Sequence, residues 1–406
     1  MPGSEPSRFE HWGFGTSAAH AGEHLVTGEF QPTSTPIYNA SGYFMPSFDA
    51  LDEVFDGRRP GYFYSRNANP TVAALESAVS TLEGAADTVA FASGMAAIHA
   101  AFVAAGLRPG ERVVASRDCY GLTRTLLTSH FAEQGVQVQF VDLTDASEAA
   151  EAMATRPRVV YLETISNPLL KILNVPALAA AARAAGALTV VDNTFPSPYL
   201  ARPIQWGADI VVHSATKYLG GHGDVTGGTA STADPELGGR LRRQAVVLGS
   251  VLGPNEAWLC HRGLKTLPLR MKQQCQNASV LAGWLSGHSQ VARVYYPGLG
   301  CHPGHVLAAE MFGGRFGAMV SFDLADPRRV VARQFMDALE LIAPAPTLGD
   351  LRSLVMYPPL ASHRGLTPAQ RAEVGIGDGL IRLSVGIEDA PDIIDDVRRG
   401  LAACGD

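Results

Sequence analysis

Four lysines occur in the 406 residues, and one of them, Lys217, stands where an amine could do chemistry. It lies in Ala208-Asp-Ile-Val-Val-His-Ser-Ala-Thr-Lys217-Tyr-Leu-Gly-Gly-His-Gly-Asp224, an apolar run that delivers Ser214, Thr216 and Lys217 into a glycine-rich turn. A lysine on a rigid strand end beside small hydroxyls suits a buried amine that condenses with a carbonyl while its neighbours hold a phosphate. Those are the requirements of a Schiff base with pyridoxal phosphate. A surface lysine opening a loop has the same local pattern, so other residues must decide.

Several segments bear on the choice. Phe91-Ala-Ser93-Gly94-Met95 reads as a strand, a small turn and a helix start, whose free amides and dipole can hold an anion. Ser93 as an ordinary helix cap explains the same residues. No G-x-G-x-x-G follows this strand, no G-x-x-x-x-G-K-[ST] occurs, and Phe91 stands where a G-x-S-x-G elbow needs glycine. Asp192, in Val190-Val-Asp-Asn-Thr194, ends an apolar strand; beside a pyridine nitrogen it would keep that nitrogen protonated. A carboxylate capping the next turn is the plainer alternative. Arg382, in Leu380-Ile-Arg-Leu-Ser384, can grip a carboxylate through paired hydrogen bonds or form a strand salt bridge. Tyr64 and Arg66, just before Asn69-Pro70, suit a phosphate or a surface turn. Tyr120 could stack on a ring or transfer a proton. His213 and His222 lack a third ligand at metal-binding spacing, so no metal is expected.

The elements that must position these residues are legible from periodicity. Between Asn69 and Thr216 short apolar runs (88–91, 112–115, 136–141, 159–162, 188–191, 210–213) alternate with helical stretches (94–106, 122–133, 146–154, 176–185). That pattern predicts an α/β fold with a mostly parallel sheet covered on both faces. Ligands bind such sheets beyond the carboxyl ends of the strands. Ser93, Tyr120, Asn167, Asp192 and Ser214 to Lys217 all fall at or just after those ends, so one crevice could gather them. A helical reading from about 255 to 283, then mixed strands and helices, predicts a smaller α+β C-terminal domain. The first ~60 residues show little periodicity yet carry Phe14, Ile37, Tyr38, Tyr43, Phe44 and Phe48, and read as an arm packed on another subunit. The expected division is an arm over 1–62, a large domain over 63–257 and a small one over 258–406.

Composition narrows the partners. Charged residues make up 17% of the chain, below the roughly 25% usual in soluble proteins, which suits surface lost to subunit contacts. A net charge of −7 without basic runs argues against nucleic acid or an anionic membrane. No apolar stretch reaches ~18 residues, the N-terminus lacks a signal-peptide pattern, and five scattered cysteines lack C-x-x-C spacing. A cytoplasmic protein acting on a small molecule is expected.

Taken together the segments resemble the cysteine/methionine-metabolism family of pyridoxal-phosphate enzymes, which includes cystathionine γ-lyases, γ-synthases and β-lyases and methionine γ-lyases. The most specific part is His213-Ser-Ala-Thr-Lys-Tyr-Leu-Gly-Gly-His-Gly-Asp224. Tyr64-Ser-Arg66-x-x-Asn-Pro-Thr71, Glu163-Thr-Ile-Ser-Asn-Pro168, Val191-Asp-Asn-Thr194 and Arg262-Gly-Leu-Lys-Thr-Leu267 follow in the right order. The resemblance implies the type I fold of pyridoxal-phosphate transferases, with a seven-stranded sheet, and a homotetramer built from dimers with shared active sites. It implies that Lys217 links covalently to pyridoxal 5′-phosphate, Asp192 pairs with the ring nitrogen and Asn167 with the phenolic oxygen. Ser93, Gly94, Met95, Ser214 and Thr216 would hold the phosphate, joined by Tyr64 and Arg66 of a neighbouring subunit. Tyr120 would stack on the ring and move protons. Arg382 would bind the substrate carboxylate, with Thr347 beside it.

The implied reaction is α,γ-elimination of a sulfur amino acid to 2-oxobutanoate, ammonia and a thiol. γ-Replacement, as in cystathionine γ-synthases and O-acylhomoserine sulfhydrylases, shares its early steps, and β-elimination is a further alternative. Several positions depart from the better-known subfamilies. Leu122 stands where methionine γ-lyases usually have cysteine and cystathionine enzymes glycine. Pro346 replaces the usual glutamate of cystathionine γ-lyases, and Phe63 replaces another acid. Ala245 replaces a lysine of methionine γ-lyases. Phe63, Leu122 and Pro346 would make an apolar distal pocket that burdens cystathionine's charged far end, so methionine or homocysteine is the expected substrate. A nicotinamide-dependent dehydrogenase lacks its glycine fingerprint here, and an inactive scaffold would need none of Lys217, Asp192, Tyr120 and Arg382.

Overall fold

The computed structural model of the protein describes residues 12–23, 30–361, 364 and 367–405. Two sheets organise it. The first contains Asp87–Phe91 (β1), Arg112–Ser116 (β2), Gln137–Val141 (β3), Val159–Glu163 (β4), Leu188–Asp192 (β5), Ile210–His213 (β6) and Gly228–Thr232 (β7), in the order β1-β7-β6-β5-β4-β2-β3. Among the described residues only β7 runs against the others.

Alternate side chains of each strand enter different cores, as the two-residue period of a strand requires. Val113, Tyr161, Val190, Ile210 and Val212 pack with the helices Gly94–Ala104 and Pro235–Leu248. Val114, Val160, Leu162, Val191 and Val211 pack with the helices Ala146–Ala154 and Val175–Ala184 on the other face. Burial on both faces is why these strands read as unbroken apolar runs.

The second sheet holds Val291–Tyr295 (β8), Met319–Leu324 (β9), Ala343–Pro344 (β10), Leu354–Met356 (β11) and Leu380–Ser384 (β12), ordered β10-β11-β12-β9-β8. Its core is shared with the helices Leu267–Ser286, Arg329–Asp337 and Ala390–Ala402.

Three features differ from the sequence expectations. Strand β7 and the helix Pro235–Leu248 had no counterpart in the periodicity. Gly228 opens β7 so close to the turn after β1 that a Cβ would lie 2.2 Å from the Ser93 carbonyl oxygen. The helix expected over 122–133 is helical over Gly121–Thr125 and then widens to π-turns over Leu126–Phe131. The N-terminal region, expected to lack elements, forms the helices Phe14–His20 and Phe48–Phe55; residues 1–11 and 24–29 of it lie outside the described residues. Among the described residues no helix is long and apolar enough to cross a membrane.

Candidate active site

The carboxyl ends of β1, β2, β4, β5 and β6 open onto a cavity of about 1320 Å³. Ser93, Gly94, Met95, Tyr120, Leu122, Asn167, Asp192, Ser214, Thr216, Lys217, Pro346, Thr347 and Arg382 all line it. The parallel strands send the loops carrying Ser93, Tyr120, Asn167, Asp192 and Lys217 to one edge, and the second sheet brings Thr347 and Arg382 to the same cavity.

One end of the cavity is built for an anion. Ser93, extended at φ −160°, caps the helix Gly94–Ala104 by accepting the Ala96 N–H at 3.1 Å. The first amides of that helix have no intrahelical partner and favour negative charge. A Cβ on Gly94 would lie 2.9 Å from the Ser214 Cβ, so glycine keeps the cradle open where two strands' loops converge. Thr216 lines the same end, but its hydroxyl already accepts the Gly227 N–H at 3.0 Å.

Lys217, Thr347, Arg382 and Asn167 form one connected stretch of the inner wall. Lys217 Nζ donates to Thr347 Oγ1 at 2.7 Å. Burial, then the nearby Arg382 charge, lowers the Lys217 pKa to about 8. Arg382, in the middle of β12, donates from Nη1 to Asn167 Oδ1 at 2.8 Å and from Nη2 to the Thr347 carbonyl at 3.2 Å. Its buried Nε has no hydrogen-bond partner among the described residues, and burial lowers its pKa to about 10. A guanidinium so held lacks a carboxylate. Ser321, which faces Arg382 across β9 and β12, donates to the Pro168 carbonyl at 2.7 Å and fixes the Asn167 loop against the second sheet.

Asp192 ends β5 and accepts the Thr194 N–H at 2.9 Å. Burial raises its pKa; the Thr194 hydrogen bonds and His213 act the other way. A cationic ring nitrogen beside it would restore the carboxylate. Tyr120 follows β2, and burial and the Glu163 charge raise its hydroxyl pKa, which keeps it a proton donor near neutrality.

Other expected residues lie elsewhere. Tyr64 is exposed, with Arg66 5.2 Å above its ring, and neither lines the cavity. Phe63 packs on Phe55 at 4.6 Å between ring centroids, so the expected apolar distal wall is incomplete. Leu122 and Pro346 line that wall, but Arg117, Asp118 and Arg124 join them. Ala245 is buried in the core beside the first sheet and does not reach the cavity. His213 pairs with Glu83 in the interior, and His222 binds the Gly220 carbonyl.

Sequence reading missed Glu163 as a site residue, although it falls at a strand end within a quoted motif. It lines the cavity, and its Oε1 accepts the Tyr120 N–H.

The parts present fit pyridoxal 5′-phosphate: an open anion cradle at a helix start, a carboxylate at the far strand end, an aromatic ring beside them and a buried amine of lowered pKa. The family described as Cys/Met metabolism PLP-dependent enzyme matches residues 15–402. Among curated proteins, a cystathionine γ-lyase of Bacillus subtilis (strain 168) is 44% identical, covering 93% of this chain and 96% of its own length. An L-methionine γ-lyase of Pseudomonas putida is 41% identical, covering 96% and 98%. Among solved structures, a cystathionine gamma synthase from Xanthomonas oryzae pv. oryzae, in complex with aminoacrylate and cysteine, superposes with a TM-score of 0.91 at 39% identity, covering 97% of this chain and 98% of that one. On matches of that extent the chain belongs to the pyridoxal-phosphate-dependent enzymes of cysteine and methionine metabolism, and pyridoxal 5′-phosphate is its cofactor.

Proposed function

We propose that this enzyme is a carbon–sulfur lyase that performs α,γ-elimination on a sulfur-containing amino acid, releasing 2-oxobutanoate, ammonia and a thiol. The observation that carries the reading is the Lys217 amine, lowered to about 8 and tied to Thr347 beside Arg382. Arg382 binds the substrate α-carboxylate through the Nε that has no partner among the described residues, while Asn167 and Thr347 keep its plane fixed. The substrate's Cα and Cβ then lie within reach of one amine. Lys217 Nζ would take the proton from Cα, pass it on to the bound cofactor and, neutral again, take one from Cβ, while the Tyr120 hydroxyl would donate a proton to the departing sulfur. The bound cofactor supplies an electron sink for both deprotonations, with Asp192 holding its ring nitrogen protonated. Ser93, Gly94, Met95, Ser214 and Thr216 bind its phosphate.

The γ-lyase names of the Bacillus and Pseudomonas relatives support elimination. γ-Replacement is the second reading, favoured by the likeness to the Xanthomonas γ-synthase. Keto-acid and ammonia release from methionine, homocysteine, cystathionine and an O-acylhomoserine, with and without added thiol, decides between them. Thiol-dependent thioether formation that outruns keto-acid release would replace the first reading by the second.

We further propose a homotetramer of paired dimers, in which Tyr64 and Arg66 complete a neighbour's phosphate site and Phe63 its substrate pocket. Their distance from the chain's own cavity supports this, as do the exposed Phe44, Phe48 and Phe55 around them. Arg66→Ala should then weaken cofactor retention and be complemented in mixed oligomers with Lys217→Ala. Failure of that complementation contradicts shared sites.

A further inference from the structure

The Glu163 carboxylate is a buried group that the mechanism above does not use. It ends β4 as Asp192 ends β5, and the two are register partners in the parallel pair β4–β5. Side chains at such a pair leave the same face of the sheet, so two carboxyl groups stand side by side at one cavity wall. One of them suffices for a single ring nitrogen. Among the described residues no lysine, arginine or histidine forms an ion pair with Glu163, so it is not there to neutralise a protein cation.

What Glu163 does hold is the main chain of Tyr120. Residues 117–120 between β2 and the helix Gly121–Thr125 have no strand or helix of their own. Tyr120 is the residue before that helix, at φ −51° and ψ 135°, with no side-chain cap. Its N–H reaches across to Glu163 Oε1, linking the loop after one strand to the end of the next strand in the sheet. The Tyr120 carbonyl accepts the Arg124 N–H at 3.0 Å, so the main chain is held on both sides of the residue and the origin of its side chain is fixed. Burial and the charge of Asp192 push the Glu163 carboxyl well above the ordinary range. A protonated carboxyl keeps a carbonyl acceptor for the Tyr120 N–H.

We propose that Glu163 is a positioning residue: its side-chain oxygen fixes the Tyr120 backbone at the end of β4 and thereby the Tyr120 ring against the cofactor. This rests on the proposed stacking role of Tyr120. The role demands an acceptor oxygen and not a negative charge, which separates two variants of similar size. Glu163→Gln keeps the acceptor; Glu163→Met fills the volume without one.

The holoenzyme variants are compared by the visible circular dichroism of the bound cofactor and by its loss during dialysis. Glu163→Gln is expected to match the parent in both. Glu163→Met is expected to lower the visible signal and release the cofactor roughly tenfold faster, the size of one lost buried hydrogen bond. Tyr120→Ala serves as the control for the stacking role, and it should abolish most of the same signal. A Glu163→Gln protein with an altered signal overturns the proposal, because charge would then matter; this holds even if Glu163→Met does not fold. A silent Glu163→Met also overturns it. If Tyr120→Ala alone leaves the dichroism unchanged, the stacking role fails instead.

Discussion

The cavity has two walls of different character. On the inner wall each functional group is tied to a neighbour: Lys217 to Thr347, Arg382 to Asn167, Glu163 to Tyr120 and Asp192 to Thr194. These groups hang from strands or from loops pinned to them. On the outer wall Arg117 and Asp118 are paired, with Glu148 at 2.7 Å and Lys171 at 2.8 Å, but the rest is looser. Leu122 is 52% exposed, Arg124 lies over the Phe140 ring at 4.0 Å, and Ala361, Gln370 and Val374 close the rim. The difference teaches a division of labour: reaction type is set where geometry is over-determined, and substrate choice where side chains can vary without disturbing it.

The sharpest way to break that division is at Lys217. Lys217→Ala should reduce turnover by at least ~10²–10⁴, the usual contribution of a positioned general base, and leave the cofactor bound without a covalent link. Turnover within tenfold of the parent would contradict the role. Arg382→Leu comes next. It removes a carboxylate clamp and strands the Asn167 acceptor, so kcat/KM should fall by roughly a hundredfold or more, as for other buried charge partners. An unchanged KM would show that the α-carboxylate binds elsewhere.

The electrostatics of the inner wall give a pH test. In protein stripped of cofactor, only the neutral Lys217 amine can attack the cofactor aldehyde. Covalent capture should therefore speed up as pH rises, with a midpoint near the lowered value of about 8. A midpoint near the unperturbed 10.5 would mean that the amine is not desolvated.

The outer wall should respond least and most selectively. Arg124 is a rim charge, so Arg124→Ala should change kcat/KM for cystathionine by roughly two- to fivefold, in line with ~0.5–1 kcal/mol for an exposed pair, and hardly that for methionine. A loss as large as that of Arg382→Leu, on both substrates, would erase the distinction between the walls.

Most of the inner wall could be read from sequence because its residues follow apolar strand runs, and a parallel sheet forces such positions to one edge. Strand β7 escaped that reading. Its residues, Gly-Thr-Ala-Ser-Thr, are small and polar yet fully buried, with Thr88 and Ser231 hydroxyls hydrogen-bonded at 2.8 Å in the interior. Periodicity registers apolar faces and is blind to a buried strand of small hydroxyl-bearing residues. Glu163 was overlooked because its work is done through a main-chain N–H, which leaves no trace in residue type at position 120. Phe63 shows a different limit, that of a single chain. Residue type suggested a pocket wall, but the fold turns it onto Phe55, and only a second chain could bring it to a site.

The most direct measurement is borohydride reduction of the holoenzyme followed by peptide mapping. A single phosphopyridoxyl label on the peptide containing Lys217, with loss of the yellow absorbance, is the expected result. A label on Lys171, Lys265 or Lys272, or no label in protein that retains its cofactor, would contradict the assignment of the site.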